Sequence, residues 1–228
     1  MVTSTSIPHP VDWADESILL PHELIRLSIL RMEAVLSPEI FGDYQDWKLD
    51  NFHQWYEHYF YKFVHHHHQI EEELYFPFLA QKASIPEKMV ADHSQLMILL
   101  DDIKSIYHLN LLRQKIQELK ETMFAHLAEE ESFVPGILRE HFTPEEEKEI
   151  VDQIIQSLGL SGNKMALPWI LESLKTWKKP EEVSSFYQSL PCFIRLLYHC
   201  SWKRDYLRNN LGLLESIECN RPPKKCLF

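Results

Sequence analysis

The sequence predicts an all-α protein, an up-down four-helix bundle with additional helices at its C-terminal end packed on it. Three observations lead there. Only 5 of 228 residues are glycine, against 6 tryptophans, 9 tyrosines and 12 phenylalanines, so few loops are glycine-built, and the 45% apolar content is ample for a core. Apolar residues recur at helical rather than alternating spacing through four consecutive segments. The breaks between segments hold proline, serine, asparagine and glycine.

Residues 1–15 carry Pro8 and Pro10 with no periodic pattern and are expected as an extended lead-in. Over residues 16–36, Ile18, His22, Ile25 and Ile29 fall at i, i+4, i+7 and i+11, one stripe of an amphipathic helix. Ser37, Pro38 and Gly42 interrupt it. A second helix is expected over about 46–83, with Tyr56, Phe60, Phe63, Leu74 and Phe78 on one face and a bend at Pro77, which lacks a backbone donor. The third restarts with Ser84 as cap and Pro86 in the first turn, and its stripe is Met89, His93, Leu96, Leu100 and Ile103. After a turn near Asn110, the fourth directs Leu119, Met123, His126, Glu130, Phe133 and Ile137 inward. Thr143, Pro144 and an acidic first turn then open a further helix. Beyond it, shorter helices separated by Pro168, Pro180 and Pro191 are expected to lie on the bundle, since a segment of about 65 residues makes a marginal core alone. The predicted division is a lead-in over 1–15, the bundle over 16–158 and a helical C-terminal extension over 159–228.

A net charge of −11, from 34 acidic and 23 basic side chains, opposes binding to nucleic acid or anionic lipid. No apolar run approaches the roughly 20 residues of a membrane span, and the start has neither a basic n-region nor an apolar h-region. A cytoplasmic or nuclear location is expected. Cys192, Cys200, Cys219 and Cys226 form no CxxC pair and read as reduced thiols. The terminal "KKCLF" has Lys225 where a prenylation box needs cysteine.

Each of the four bundle helices has a histidine within its apolar stripe: His22, His67, His93 and His126. One such histidine is usually a satisfied core residue; four at comparable depth call for a common cause. His67 and His126 each have a glutamate at i+4, Glu71 and Glu130, turned by about 40° and one turn along the same face. Unpaired buried carboxylates are costly, whereas imidazole nitrogen and carboxylate oxygen together suit a borderline divalent metal. Within "HHHHQIEEELYFPFL", His67 has Phe60, Phe63, Leu74 and Phe78 on its side, and His68 has Val64, Tyr61, Tyr75 and Leu79. His67 is therefore the preferred ligand, with His68 an additional or alternative one, while His65 and His66 are assigned no role. The gapless match of "HQIEEELYFP" to "HLAEEESFVP" pairs His68 with His126 and Glu72 with Glu130, and so supports the competing register.

His22 in "PHELIR", the His67/Glu71 pair, His93 in "DHSQL" and the His126/Glu130 pair together resemble the hemerythrin family, the HHE cation-binding domains, over about residues 15–142. The resemblance implies a non-haem di-iron centre, two Fe ions with an oxo or hydroxo bridge, in which Glu71 and Glu130 are bridging carboxylates and His22, His67, His93 and His126 terminal ligands. Oxygen-carrying members have a further histidine one turn after the third-helix ligand. Here Met97 stands there, which leaves a position for water, His68 or another side chain.

These features imply an iron-binding protein, with dioxygen as a second ligand, serving iron or oxygen sensing, storage or redox. The alternatives are a di-iron oxidoreductase acting on oxygen, peroxide or nitric oxide, and a metal-free interaction module. A mononuclear zinc site is disfavoured because "HELIR" lacks the second histidine of HExxH. No organic-substrate pocket or cofactor motif is legible, so binding ranks above catalysis. A protein partner would use the C-terminal extension.

Overall fold

The protein is described from a computed structural model over residues 11–222, and these residues fold as packed helices with no strand among them. Helix α1 (Trp13–Val35) begins earlier than expected because Asp12 caps it: its carboxylate accepts from the Ala14 and Asp15 amides while Asp15 reaches back to the Asp12 amide. Residues 1–10 of the expected lead-in lie outside the described residues. A short α2 (Pro38–Phe41) turns the chain through Gly42, whose φ of 60° is a left-handed conformation that favours glycine.

The second long rod is continuous but not uniform. It runs as α3 (Asp46–Trp55), a π-helical turn (Tyr56–Tyr61), α4 (Lys62–Ile70), a second π turn (Glu71–Tyr75) and α5 (Phe76–Leu79). A π turn takes one extra residue per turn and so shifts the phase of everything after it. The inward stripe accordingly passes through Phe60, Phe63, His67 and Glu71 and then moves to Tyr75, Phe76 and Leu79. Leu74 and Phe78, expected on the inner face, are only partly buried. Before Pro77 the rod carries this π turn, which widens the helix just where proline removes a donor and would clash with the preceding turn.

Helix α6 (Glu87–Lys104) is capped by Pro86 itself without a side-chain bond, so Ser84 is not its cap. Helix α7 (Leu109–His141) follows, then α8 (Pro144–Ser157), where Thr143 and Glu146 form the expected capping box. The extension comprises α9 (Gly159–Trp177), α10 (Pro180–Ser189) and a last rod of α11 (Cys192–Leu197), α12 (Lys203–Asp205) and α13 (Gly212–Glu218) joined by π turns. Pro168 lies inside α9 rather than between helices, whereas Pro180 and Pro191 stand at helix starts.

Two apolar clusters position the site. One contains Ile25, Ile29, Phe60, Phe63, Val64, Leu96, Leu100, Met123 and Leu127. The other contains Ile18, Tyr75, Phe76, Met89, Val134 and Ile137. In each helix the histidine falls between members of the two clusters, so the chain crosses a single polar layer held between two apolar ones. The extension shares the first cluster through Ala166, Trp169, Tyr206, Leu214 and Ile217, and the Trp55 indole donates to Asn210 Oδ1 at 2.8 Å.

Candidate metal centre

Helical spacing carries His22, His67, Glu71, His93, His126 and Glu130 into the polar layer together, and all six are buried. His68 joins them at 3% exposure, its ring stacked on that of His93 at 4.2 Å and edge-on to His126 at 5.6 Å. His67 and His68 are adjacent in sequence, yet the buried sector of the rod is wide enough to hold both. His65 is exposed and His66 half-buried, outside the buried layer.

The two carboxylates sit between two groups of imidazoles. Glu71 Oε1 is 3.4 Å from His67 Nε2 and 3.9 Å from His22 Nε2, while its Oε2 is 3.5 Å from His93 Nε2. Glu130 mirrors this, with Oε2 at 3.3 Å from His22 Nε2 and Oε1 at 3.4 Å from His126 Nε2 and 3.5 Å from His93 Nε2. Each carboxylate thus turns one oxygen to each group. The donor atoms of His22, His67, Glu71 and Glu130 lie within 4.8 Å of one another, as do those of His68, His93 and His126.

Orphaned donors give the strongest test of fit. His22 Nε2, His67 Nε2, both ring nitrogens of His68, His93 Nε2, His126 Nε2 and all four oxygens of Glu71 and Glu130 are buried without a hydrogen-bond partner. Folded proteins seldom leave one such group unpaired, because each costs about 1–3 kcal/mol, and a cation is the ligand that this set of imidazole and carboxylate donors fits. Two donors bound to one ion at about 2.0–2.2 Å and roughly right-angled to tetrahedral geometry stand about 3–3.6 Å apart, close to the separations found here. Imidazole and carboxylate with no thiolate suit iron or another borderline divalent ion rather than a soft one. Cys192, Cys200 and Cys219 are exposed and free on the extension, and Cys226 lies outside the described residues.

Outer partners fix the imidazoles. His22 Nδ1 donates to Glu131 at 2.8 Å, which in turn accepts two hydrogen bonds from Arg26 at 2.7 and 2.8 Å. Arg26 also donates to Glu23 at 2.8 Å. His93 Nδ1 donates to Glu72 at 2.9 Å. With the Nδ1 proton committed there, Nε2 is the atom each ring turns to the centre, and it becomes a ligand when a cation displaces its own proton. Sequence reasoning missed Glu131, Arg26 and Glu23, and met Glu72 only as the counterpart of Glu130 in the competing register. The signal was present: each "EEE" run gives an inner carboxylate followed by an outer one, and Arg26 follows His22 by one turn on the same stripe.

The structural equivalence is therefore His67, Glu71 and Glu72 with His126, Glu130 and Glu131, one residue away from the gapless match. The extra residue lies in the π turn at 71–75, which brings Pro77 and Pro135 back into step afterwards.

Electrostatics separates the two carboxylates. Burial, then the neighbouring Glu130 charge, pushes Glu71 up to about 7. Burial acts on Glu130 in the same direction, but the His22 and His93 imidazoles outweigh it and hold it well below the usual carboxylate range. Burial likewise drives His67 and His68 well below the usual histidine value and His126 down to about 4. Burial is outweighed at His22, where Glu130, Glu131 and Glu71 raise it well above that value, and at His93, where Glu130, Glu71 and Glu72 raise it. Neutral imidazole is the ligating form, so three of the five rings are poised for a cation as they stand.

Met97 occupies the place of a further third-helix histidine, half-buried against the first cluster. His68, from the neighbouring rod, places its imidazole beside His93 and His126.

No helix among the described residues is long and apolar enough to cross a membrane. None of the curated proteins and none of the solved structures matches the chain. The family model of the hemerythrin HHE cation binding domain matches residues 15–137, which contain all seven residues of the buried layer. That match spans more than half of the sequence, and the chain belongs to the hemerythrin HHE cation-binding family.

Proposed function

We propose that this protein holds two iron ions in the polar layer. His22 and His67 would serve one position, His68, His93 and His126 the other, and Glu71 and Glu130 would bridge them. The observation that carries this reading is the pairing of oxygens: each carboxylate offers one oxygen to each imidazole group, and all four oxygens lack any other partner. A single-ion site would leave one face of both carboxylates orphaned in a buried layer, and a metal-free interaction module would leave every one of them so.

The iron pair, when bound, supplies reversible one-electron chemistry and, in its reduced form, affinity for dioxygen. The chain's own residues prepare that centre in identifiable ways. Glu131 and Glu72 hold the Nδ1 protons of His22 and His93, so the Nε2 atoms face the centre, where a bound cation would replace their protons. Apolar side chains above and below, among them Phe63, Val64, Phe76 and Met89, exclude bulk water. Two carboxylates and five imidazoles gathered without a cation strain the core, so iron occupancy adds to stability by mass action. That coupling supports a role as an iron- and oxygen-responsive binding protein, with storage and redox functions built on the same centre. Iron counted in protein from iron-supplemented cells tests the reading. Two ions per chain are expected, falling in Glu71→Ala and Glu130→Ala, and full occupancy in both variants would contradict the bridging assignment.

A further inference from the structure

We propose that the two metal positions are inequivalent, and that the one beside His68, His93 and His126 is the exchangeable position, entered past Asp92 with the Lys88 ion pair as its gate. The inference rests on the two-position reading given above and adds the route and control of iron exchange.

The two imidazole groups are anchored very differently. On the His22 side, Glu131 is gripped by Arg26 through two charge-assisted hydrogen bonds, and Arg26 is bound in turn to Glu23. The Arg26 and Glu23 side chains are 6% and 2% exposed. Displacing His22 means breaking this buried network, and leaving any member unpaired is strongly unfavourable.

The other side opens to the surface. Glu72, the partner of His93 Nδ1, is 41% exposed. Asp92 Oδ2 stands 4.0 Å from His126 Nδ1, too far for a hydrogen bond. The same oxygen is engaged 2.5 Å away by the Lys88 ammonium, which pairs also with Glu129 and is itself 59% exposed. An ammonium is therefore tethered between carboxylates directly outside His126. His68 lies on this side, stacked on His93, buried and with neither ring nitrogen partnered.

These contacts define a sequence of events. A divalent cation reaching the surface meets carboxylate oxygens already organised around a positive charge, and hard cations prefer such oxygens. It displaces Lys88, whose exposed ion pairs are weak enough to open unaided. Asp92, freed from Lys88, is then the nearest carboxylate to His126 Nδ1 and can hold that ring's proton as Glu72 holds that of His93. Release runs the same way in reverse. Asp92 is in this sense a positioning residue, not a ligand.

The test is the release of ferrous iron from the fully loaded protein into an excess of a ferrous chelator, followed by the colour of the chelate. Two phases of equal amplitude are expected. Lys88→Ala should accelerate the faster phase about three- to fivefold, the size of an exposed ion pair expressed as a rate ratio, and leave the slower one unchanged. Lys88→Gln should do the same while keeping the side-chain stem. Arg26→Lys should accelerate the slower phase, and Lys148→Ala, in an exposed pair on another helix, should alter neither. A single phase for both ions, or a Lys88→Ala effect absent or equal in the two phases, overturns the proposal. Iron content is measured first, so a preparation that binds fewer than two ions is recognised as failure of the two-position reading and not of the gate alone.

Discussion

Glu71 and Glu130 are the same side chain in the same buried layer, yet their neighbours drive them in opposite directions. Glu71, pushed up to about 7, keeps its proton in the metal-free fold over a range in which the unfolded chain has lost it. Stability of the metal-free protein therefore falls through this group as pH rises from about 4.5 to about 7. Glu71→Gln removes that burden. Urea unfolding of chelator-treated protein should show the variant more stable than the parent at pH 7.5, by up to about 3 kcal/mol, and little changed at pH 5. Its iron content should fall at the same time; a variant less stable at pH 7.5 would show that Glu71 is not carrying an unmet charge. His68→Ala should lower iron content, whereas His65→Ala and His66→Ala should not. At this scale the sequence revealed the six stripe residues because period and chemistry coincided. His68, Glu72 and Glu131 were ambiguous, since a run of like residues fixes no phase by itself, and the approach of Asp92 to His126 is a contact between helices that no sequence spacing reports.

The helices were legible where capping chemistry was explicit, as at Thr143 with Glu146, and where the apolar period ran unbroken, as in α6 and in α7 apart from Phe133, which was expected inward and is only partly buried. The π turns were not. A single added residue breaks the 3.6 period without changing composition, so the stripe expected through Leu74 and Phe78 passes instead through Tyr75, Phe76 and Leu79. This gives a direct prediction about length. Deleting Glu73 from the π turn should return the rod to α-helical phase and leave a folded protein, weakened by about 3 kcal/mol because Pro77 then sits in a regular helix. Deleting Ser94, an exposed residue of α6, should instead turn Leu96, Leu100 and Ile103 away from the core and prevent folding. Circular dichroism and thermal melts distinguish the two, and equal damage from both deletions would count against the π turn as an inserted residue.

At the level of the whole molecule the extension is continuous with the bundle's core. Trp169, Tyr206, Leu214 and Ile217 are buried among residues of α1 and α3, and Arg31 pairs with Glu218 at 2.9 Å. Burying each large apolar side chain contributes about 1.5–3 kcal/mol, so losing these four is comparable to the 5–15 kcal/mol that holds a typical domain together. A chain ending at Ser157 should be insoluble or molten, although the buried layer lies wholly within residues 15–137. A cooperative melt at unchanged temperature from that truncation would show the extension to be dispensable. Composition anticipated helices there, but nothing in a local pattern reveals that Trp55 has Asn210 as its partner, 155 positions away.

The most direct test of the central claim is the iron-to-protein ratio of the purified chain, measured together with its low-temperature magnetic spectrum. Shared carboxylates predict two ions per chain whose spins are coupled, and the coupling should disappear with the second ion in Glu130→Ala. One ion per chain, or two that behave independently, would contradict the bridging role of Glu71 and Glu130.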